Sequence, residues 1–377
     1  MKDAEDSPAQ SADWARRRVV LVGAGHAHLY TLARAVEFSR RGFELTAIAP
    51  ESFWYSGLAT GVLGGRYSPE QDQVDVEALV AHAGGRFIRA RVATIDPSAG
   101  LVRLESGVAV AYDVLSLNLG SETRPLPGEN HRVFAIKPLR NLWRLRQALA
   151  AGQAADQSPR IVIAGGGASG CEIAANLRAL LGRSAEITVL ARGAEIASSL
   201  APAAARALAQ WLHAQDISVR TRATVCRIQE NTAVTEEGEQ FTFDYLVNAT
   251  GLHAPPILAQ SGLPVSDRGE LLVDDRLRAM SDSRIFAGGD CIRFARRELA
   301  KIGVYAVREA PVIFHNLLAT LEGRPLRAFK PQRHFLLILN LGNGYGLASW
   351  RDLYWLGRLA FWLKDRIDRA FLARYQT

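Results

Sequence analysis

Two glycine fingerprints on one polypeptide constrain this sequence more than any other feature in it. Val19-Val20-Leu21-Val22 runs into Gly23-Ala24-Gly25-His26-Ala27-His28, and Ile161-Val162-Ile163-Ala164 runs into Gly165-Gly166-Gly167-Ala168-Ser169-Gly170. Each is a short β-branched strand feeding a glycine turn that opens an Ala/Leu-rich helix. Glycines at such a turn let the backbone bend tightly and approach a pyrophosphate, which then rests on unpaired N–H groups at the helix N-terminus. One such motif is a weak signal. Two on one chain imply two bound nucleotides, and the economical reason to hold both is that electrons pass between them.

Length and composition leave room for this. A chain of 377 residues, 48% hydrophobic and 22% charged, has the size for two or three domains with substantial cores. It lacks the roughly 18 uninterrupted apolar residues of a transmembrane helix. Met1 to Asp13 carries Asp3, Glu5, Asp6 and Asp13 without an apolar stretch, so it reads as a disordered leader and not as a signal peptide. Cys171, Cys226 and Cys291 are widely spaced, which excludes a C-x-x-C dithiol, a disulfide scaffold and a zinc-type metal cluster. A reducing, cytoplasmic setting fits that usage. The net charge is +7, but the basic residues are dispersed except near the C-terminus, so nucleic-acid binding is not expected.

Along the chain, residues 18–49 read strand, glycine turn, helix, strand. Residues 50–68 read as a Gly/Ser/Tyr-rich loop, and short strands and turns fill 86–117. Pro125 and Pro127 mark a crossing linker before a helix at 139–151. The second strand–turn–helix unit follows, with strands at 160–164 and 186–191. Tyr245-Leu246-Val247-Asn248-Ala249-Thr250-Gly251 is an apolar strand ending in ATG, and Arg284-Ile285-Phe286-Ala287-Gly288-Gly289-Asp290 is another ending in glycines and an acid. Residues 303–321 are helical, 335–341 form a strand, and 352–374 read as one final helix.

The ordered set GAGHAH, GGGASG, NATG and AGGDC resembles the two-dinucleotide-binding flavoproteins of the pyridine nucleotide-disulfide oxidoreductase superfamily. The resemblance implies an α/β fold of two Rossmann-like domains. A discontinuous FAD-binding domain would span 14–128 and 257–327, an NAD(P)H-binding domain 129–256, and a C-terminal strand and amphipathic helix 328–377. No Cys-x₄-Cys pair stands in 50–68, which points to the branch without a dithiol, the type II NADH dehydrogenases and sulfide:quinone reductases. GAGHAH, Tyr55-Ser56-Gly57, Pro331-Gln332-Arg333 and Lys364-Asp365-Arg366-Ile367-Asp368-Arg369 look closer still to the NADH dehydrogenase-like proteins sometimes fused to selenide–water dikinase.

On that resemblance the FAD contacts are Gly23, Ala24, Gly25, His26, His28, Glu51, Ser56, Arg91, Val92, Gly120, Gly289, Asp290, Lys301 and Gly303. Those of NADH or NADPH are Gly165, Gly167, Gly170, Arg192, Thr250 and Gly251. His28 stands where the first fingerprint should have its third glycine, so the packing there must accept a side chain. Glu51 follows the second strand and would reach a ribose. Arg192 stands at the tip of the second nucleotide strand, where an acid would favour the 2′-hydroxyl of NADH and an Arg can meet a 2′-phosphate. Both nucleotides stay open on the sequence.

Three residues are candidates for catalysis. Glu172 is either an acid favoured by the helix dipole or a carboxylate for the nicotinamide amide. Lys301, in a K-x-G segment, would set positive charge where a reduced flavin gathers negative charge. Glu309 would supply protons to a quinone or other small electron acceptor. The rival readings are an oxidoreductase of sulfide or selenium species and a flavin-binding regulatory protein without turnover. In the tail, Leu353, Leu356, Ala360, Leu363, Ile367 and Phe371 form one helical stripe among Trp350, Tyr354, Trp355 and Trp362, with Arg351, Arg358, Lys364, Arg366, Arg369 and Arg374 alongside. That stripe suits attachment to the inner face of the cell membrane. Alternatively it closes over the flavin domain or a partner in a homodimer.

Overall fold

The computed structural model describes residues 17–152 and 158–376. The expected leader, Met1 to Asp13, lies outside them. Two five-stranded parallel sheets carry the two fingerprints. The first runs Ile285–Ala287, Val114–Leu117, Arg18–Val22, Glu44–Ala49, Arg86–Arg89. The second runs Val133–Ala135, Tyr245–Asn248, Arg160–Ala164, Glu186–Ala191, Ile217–Thr221. Val19–Val22 and Ile161–Ala164 are buried along their whole length, as central strands covered on both faces must be. In both sheets the fingerprint strand is central, so each glycine turn sits at a carboxyl edge, where ligands bind in open α/β sheets. The first sheet takes its last strand from Ile285–Ala287, so the whole second sheet is threaded into the chain between strands of the first.

Residues 50–68 are not the expected loop. Ser56–Leu63 forms a helix whose Leu58, Ala59, Val62 and Leu63 are all buried. Its small residues let it pass close to neighbours: a Cβ on Gly61 would lie 2.4 Å from the Tyr67 ring, and one on Gly64 2.6 Å from Asn176 Oδ1.

The tail departs from the sequence reading in a second way. Residues 352–374 are not one helix. Leu337–Asn340, Gly346–Trp350 and Leu353–Gly357 form an antiparallel three-stranded sheet, and the helix is Arg358–Leu372. Arg351-Asp352 is a two-residue hairpin turn with Arg351 at φ 53°, and Gly357 at φ 155° divides strand from helix. The expected stripe is therefore split. Leu353 and Leu356 lie on a strand, Ala360 is fully buried, and Phe371 stacks on Tyr55 with centroids 4.9 Å apart. Leu339, Leu341 and Leu347 join the core under the second sheet, while Phe361, Leu372 and Tyr375 join the core under the first. The tail thus straps the two units together. Among the described residues, no helix is long and apolar enough to cross a membrane.

Candidate active site

The first glycine turn is fixed from the opposite strand by a residue the sequence reading missed. Asn118 follows the strand Val114–Leu117. Its Oδ1 accepts the Ala27 N–H (3.1 Å) and its Nδ2 donates to the Gly288 carbonyl (2.7 Å), which ties the turn to the Gly-Gly-Asp strand end. A Cβ on Gly23, at φ 87°, would lie 2.2 Å from the Asn118 carbonyl oxygen, so only glycine fits. Gly25 precedes the helix His26–Leu32, whose first N–H groups face the carboxyl edge of the sheet. Ala24 is half-buried against the core.

His28 fills the missing-glycine position with its ring. Its Nδ1 donates to the Gly23 carbonyl (2.5 Å), since a carbonyl can only accept, and Nε2 then accepts from the Ser116 hydroxyl (2.8 Å). Burial pulls its pKa down to about 4, so the imidazole is neutral. In the second turn the same position is Gly170, where a Cβ would lie 1.9 Å from the Gly165 carbonyl oxygen. His28 is therefore a buried strut of the turn and not a phosphate contact.

Asp290 sits at the strand end, where it pairs with Lys137 and accepts from Ser121 Oγ (2.8 Å). Burial works against its charge. The Lys137 ammonium overrides this and holds the carboxyl below the usual range. Lys137 lies 153 positions earlier, in a linker without any motif. His26 is half-buried beside them, its Nε2 shielded from water. It packs edge-on to Phe53 (4.8 Å), and burial brings its pKa down to about 4. Among the described residues its Nε2 has no hydrogen-bond partner. Gly303 opens the helix Gly303–Glu322 against it: a Cβ there would lie 3.4 Å from His26 Nε2 and 3.6 Å from Ser56 Oγ. An orphaned buried ring nitrogen is a group that a ligand can complete.

Glu309, from the same helix, accepts the Gly289 N–H (2.6 Å). Burial pushes its pKa up to about 7 against that hydrogen bond. A pocket lined by Asp290, Phe294, Lys301, Tyr305 and Glu309 adjoins the strand end. Lys301 is not a free cation in it, because its ammonium meets the buried Glu270 (2.6 Å) and donates to the Ile292 carbonyl (2.7 Å). Glu51 is likewise committed, to Arg140 at 2.6 Å. Arg91 is exposed, Val92 opens the strand Val92–Asp96 away from this cluster, and Gly120 turns the chain at φ 70° just after Asn118.

At the second turn, Gly165 (φ 127°) lies under the Ala249 carbonyl and Gly167 precedes the helix Ala168–Leu181. Thr250 is held by Asn248 Oδ1, which its N–H (3.1 Å) and Oγ1 (2.7 Å) both reach, and Gly251 beside it is exposed. Glu172 is half-buried, and desolvation of its carboxyl raises its pKa; it accepts the Asn340 N–H (2.7 Å) from the tail sheet. Arg192 is exposed at the end of Glu186–Ala191.

The tail helix closes the first unit. Tyr55 donates to Asp368 (2.8 Å), and Lys364 donates to both Asp368 and the Gly57 carbonyl (2.7 Å each). Tyr67 donates to Asp365 (2.6 Å). The Lys364–Arg369 run is thereby explained as a docking face. Nearby, burial and the Asp368 charge push Asp72 up to about 9. Cys171 and Cys291 are fully buried, with burial raising their thiols to about 12 and about 11, and Cys226 lies among the strands of a separate small sheet.

A family model described as pyridine nucleotide-disulphide oxidoreductase matches residues 17–310. Among curated proteins, the demethylphylloquinone reductase NdbB of Synechocystis sp. is 29% identical over 330 residues, which is 83% of this chain and 81% of that protein. Among solved structures, the sulfide:quinone oxidoreductase of Aquifex aeolicus has a TM-score of 0.82 at 16% identity, covering 96% of this chain and 91% of its own. The NDH2 of Plasmodium falciparum in complex with NADH has a TM-score of 0.79 at 14% identity, covering 94% and 97%. These two structural likenesses speak to the fold.

Proposed function

Since the chain belongs to the pyridine nucleotide-disulphide oxidoreductase family, we propose that it is an FAD-dependent NAD(P)H:quinone oxidoreductase. When bound, FAD would supply a hydride acceptor for the nicotinamide nucleotide and a two-electron donor for a quinone or similar small acceptor. We assign FAD to residues 14–128 with 257–327 and the nicotinamide nucleotide to 129–256. The observation that carries the reading is the presence of two glycine turns at the carboxyl edges of two parallel sheets, the first of them tied by Asn118 to Gly288 in the strand end that carries Asp290.

Gly23, Gly25 and the amides after them would hold the FAD pyrophosphate, and Asp290 its ribitol, with Lys137 and Ser121 fixing the carboxylate. His26 Nε2 would gain the partner it lacks. Glu309, with a pKa near 7, holds a proton that it can give to an acceptor at neutral pH. The thiols of Cys171 and Cys291 are buried with raised pKa, and Cys226 lies in a separate small sheet, which disfavours the sulfide reading.

The relative NdbB is named for a quinone substrate, and quinones reside in lipid. A surface different from the expected stripe would face the lipid. Leu353, Leu359 and Trp362 are 68%, 61% and 57% exposed, with Trp350, Tyr354, Trp355 and Ile367 around them. Arg351 and Arg366 lie over the Trp350 and Trp362 rings. Aromatic rings with arginines at their edges suit the headgroup layer of an anionic bilayer.

Anaerobic titration of the purified protein tests the function. The expected result is released FAD after denaturation, bleaching of the flavin absorbance by a nicotinamide nucleotide, and recovery on adding a short-chain quinone. A colourless protein, or a flavin that neither NADH nor NADPH bleaches, overturns it.

A further inference from the structure

We propose that the nicotinamide site is selective for NADPH, with Arg192 and Arg222 forming a subsite for the 2′-phosphate; this rests on the function proposed above. The strand Glu186–Ala191 ends in contact with the second glycine turn. A Cβ on Gly166 would lie 2.3 Å from the Ala191 Cβ, and the Ala197 N–H donates to the Gly166 carbonyl (2.7 Å). Residues 192–197 therefore wrap the turn. A pyrophosphate seated on that turn brings the adenosine ribose to the tip of this strand.

An NADH-selective site sets a carboxylate at that tip to accept from the 2′-hydroxyl. Here the tip is Ala191-Arg192-Gly193. The adjacent parallel strand Ile217–Thr221 ends level with it, Ala191 opposite Thr221. The chain then curls over the tip: Arg222 N–H donates to the Gly193 carbonyl (3.0 Å) and Ala223 N–H to the Ala191 carbonyl (2.9 Å). Arg222 takes φ 54°, a left-handed conformation that is strained for a non-glycine residue. The fold thus holds two arginines side by side at the mouth. Both are exposed, and among the described residues neither side chain makes an ion pair or a hydrogen bond. Several arginines elsewhere in this unit are committed, Arg160 to Asp244, Arg183 to Asp216 and Arg178 to three carbonyls, whereas Arg220 on the strand Ile217–Thr221 is exposed. Glu195 is the acid on the loop, and it pairs with neither arginine. Two uncommitted guanidiniums are matched in charge and fork geometry to a phosphate dianion and offer a ribose hydroxyl only a single neutral-acceptor hydrogen bond.

Calorimetry on the FAD-loaded protein at fixed ionic strength tests this, with NADP⁺, NAD⁺, 2′,5′-ADP and 5′-AMP as probes. The wild type should bind NADP⁺ and 2′,5′-ADP at least about tenfold tighter than NAD⁺ and 5′-AMP. Arg192→Ala should weaken the two 2′-phosphate ligands by about 10- to 100-fold, the worth of a charge-assisted contact, and move NAD⁺ by less than about twofold. Arg222→Ala should act in the same direction. Equal or tighter binding of NAD⁺ to the wild type overturns the proposal, as does equal weakening of all four probes by Arg192→Ala. If the proposal alone fails, NADH still binds and still bleaches the flavin. If neither nucleotide binds, the function fails with it.

Discussion

Glu309 keeps its proton in a place where most glutamates would not. Burial raises its pKa from the ordinary 4.5 to about 7, although the Gly289 N–H favours the charged form. The folded protein therefore holds a proton that the unfolded chain releases between those values. Stability drains as pH rises across 4.5–7 and stays lower above it. If the group donates to the acceptor, turnover should be high below about 7 and fall above it. Glu309→Gln keeps an oxygen for the Gly289 N–H but no titrating proton. Its kcat should drop by about 10²-fold on the acid side, and the limb near 7 should vanish from the pH profile, with FAD still bound. An unchanged profile would remove Glu309 from the chemistry. His26 and His28 sit at the other extreme, both neutral through burial. At this scale the sequence was readable where a backbone needs glycine and less readable where a role depends on a partner. Gly23, Gly165 and Gly170 announce themselves. Lys137 and Asn118 do not, because their importance comes from a strand end that folding brings beside them from far along the chain. Lys301 and Glu51 were visible as charges, but not the Glu270 and Arg140 that occupy them.

The element that answers most sharply to its side chains is the helix Arg358–Leu372. Lys364 and Asp368 are one turn apart and both mostly buried, and Tyr55 and the Gly57 carbonyl complete their hydrogen bonds. Removing one member of such a pair leaves a buried charge unmatched, at a cost of about 3–5 kcal/mol. Asp368→Ala should therefore lower the urea midpoint and expose the tail to protease. Lys364→Met with Asp368→Leu should recover most of that loss. Equal destabilisation by the single and the double variant would show that the pair does not hold the helix. Asp72, both carboxyl oxygens buried and without hydrogen-bond partners among the described residues, is neutral at pH 7. The fingerprint strands were legible as elements because β-branched runs end at glycines. The tail was misread because Leu353, Leu356, Ala360 and Leu363 keep helical spacing by coincidence across Gly357, where a strand stops and a helix starts. Alternation of Leu353 and Trp355 with Tyr354 and Leu356, ahead of a glycine, was the competing signal.

At the scale of the molecule, the tail brings together the two sheets and, beyond them, an outward face of tryptophans. Replacing Trp355 and Trp362 with serine should cut sedimentation with anionic liposomes by more than about tenfold, since each large apolar side chain contributes about 1.5–3 kcal/mol on burial. FAD content should not change. Equal partitioning of variant and wild type would argue against the lipid surface. A shift from dimer to monomer in light scattering would instead assign the face to a second copy. Fold class was legible from the ordered motifs and the family they resemble, whereas how the tail seats on both units was not, because it depends on side chains that meet only once the chain is folded. The threading of one sheet through another carries its own consequence for manufacture. The second sheet is complete once Asn248 has been made, and its strands come from one continuous stretch of chain. The first lacks its Ile285–Ala287 strand until much later, and Phe371, near the end, is what stacks on Tyr55 beside the first glycine turn. On the ribosome, where domains generally fold as units as they emerge, the unit that begins first is thus the last that can be finished.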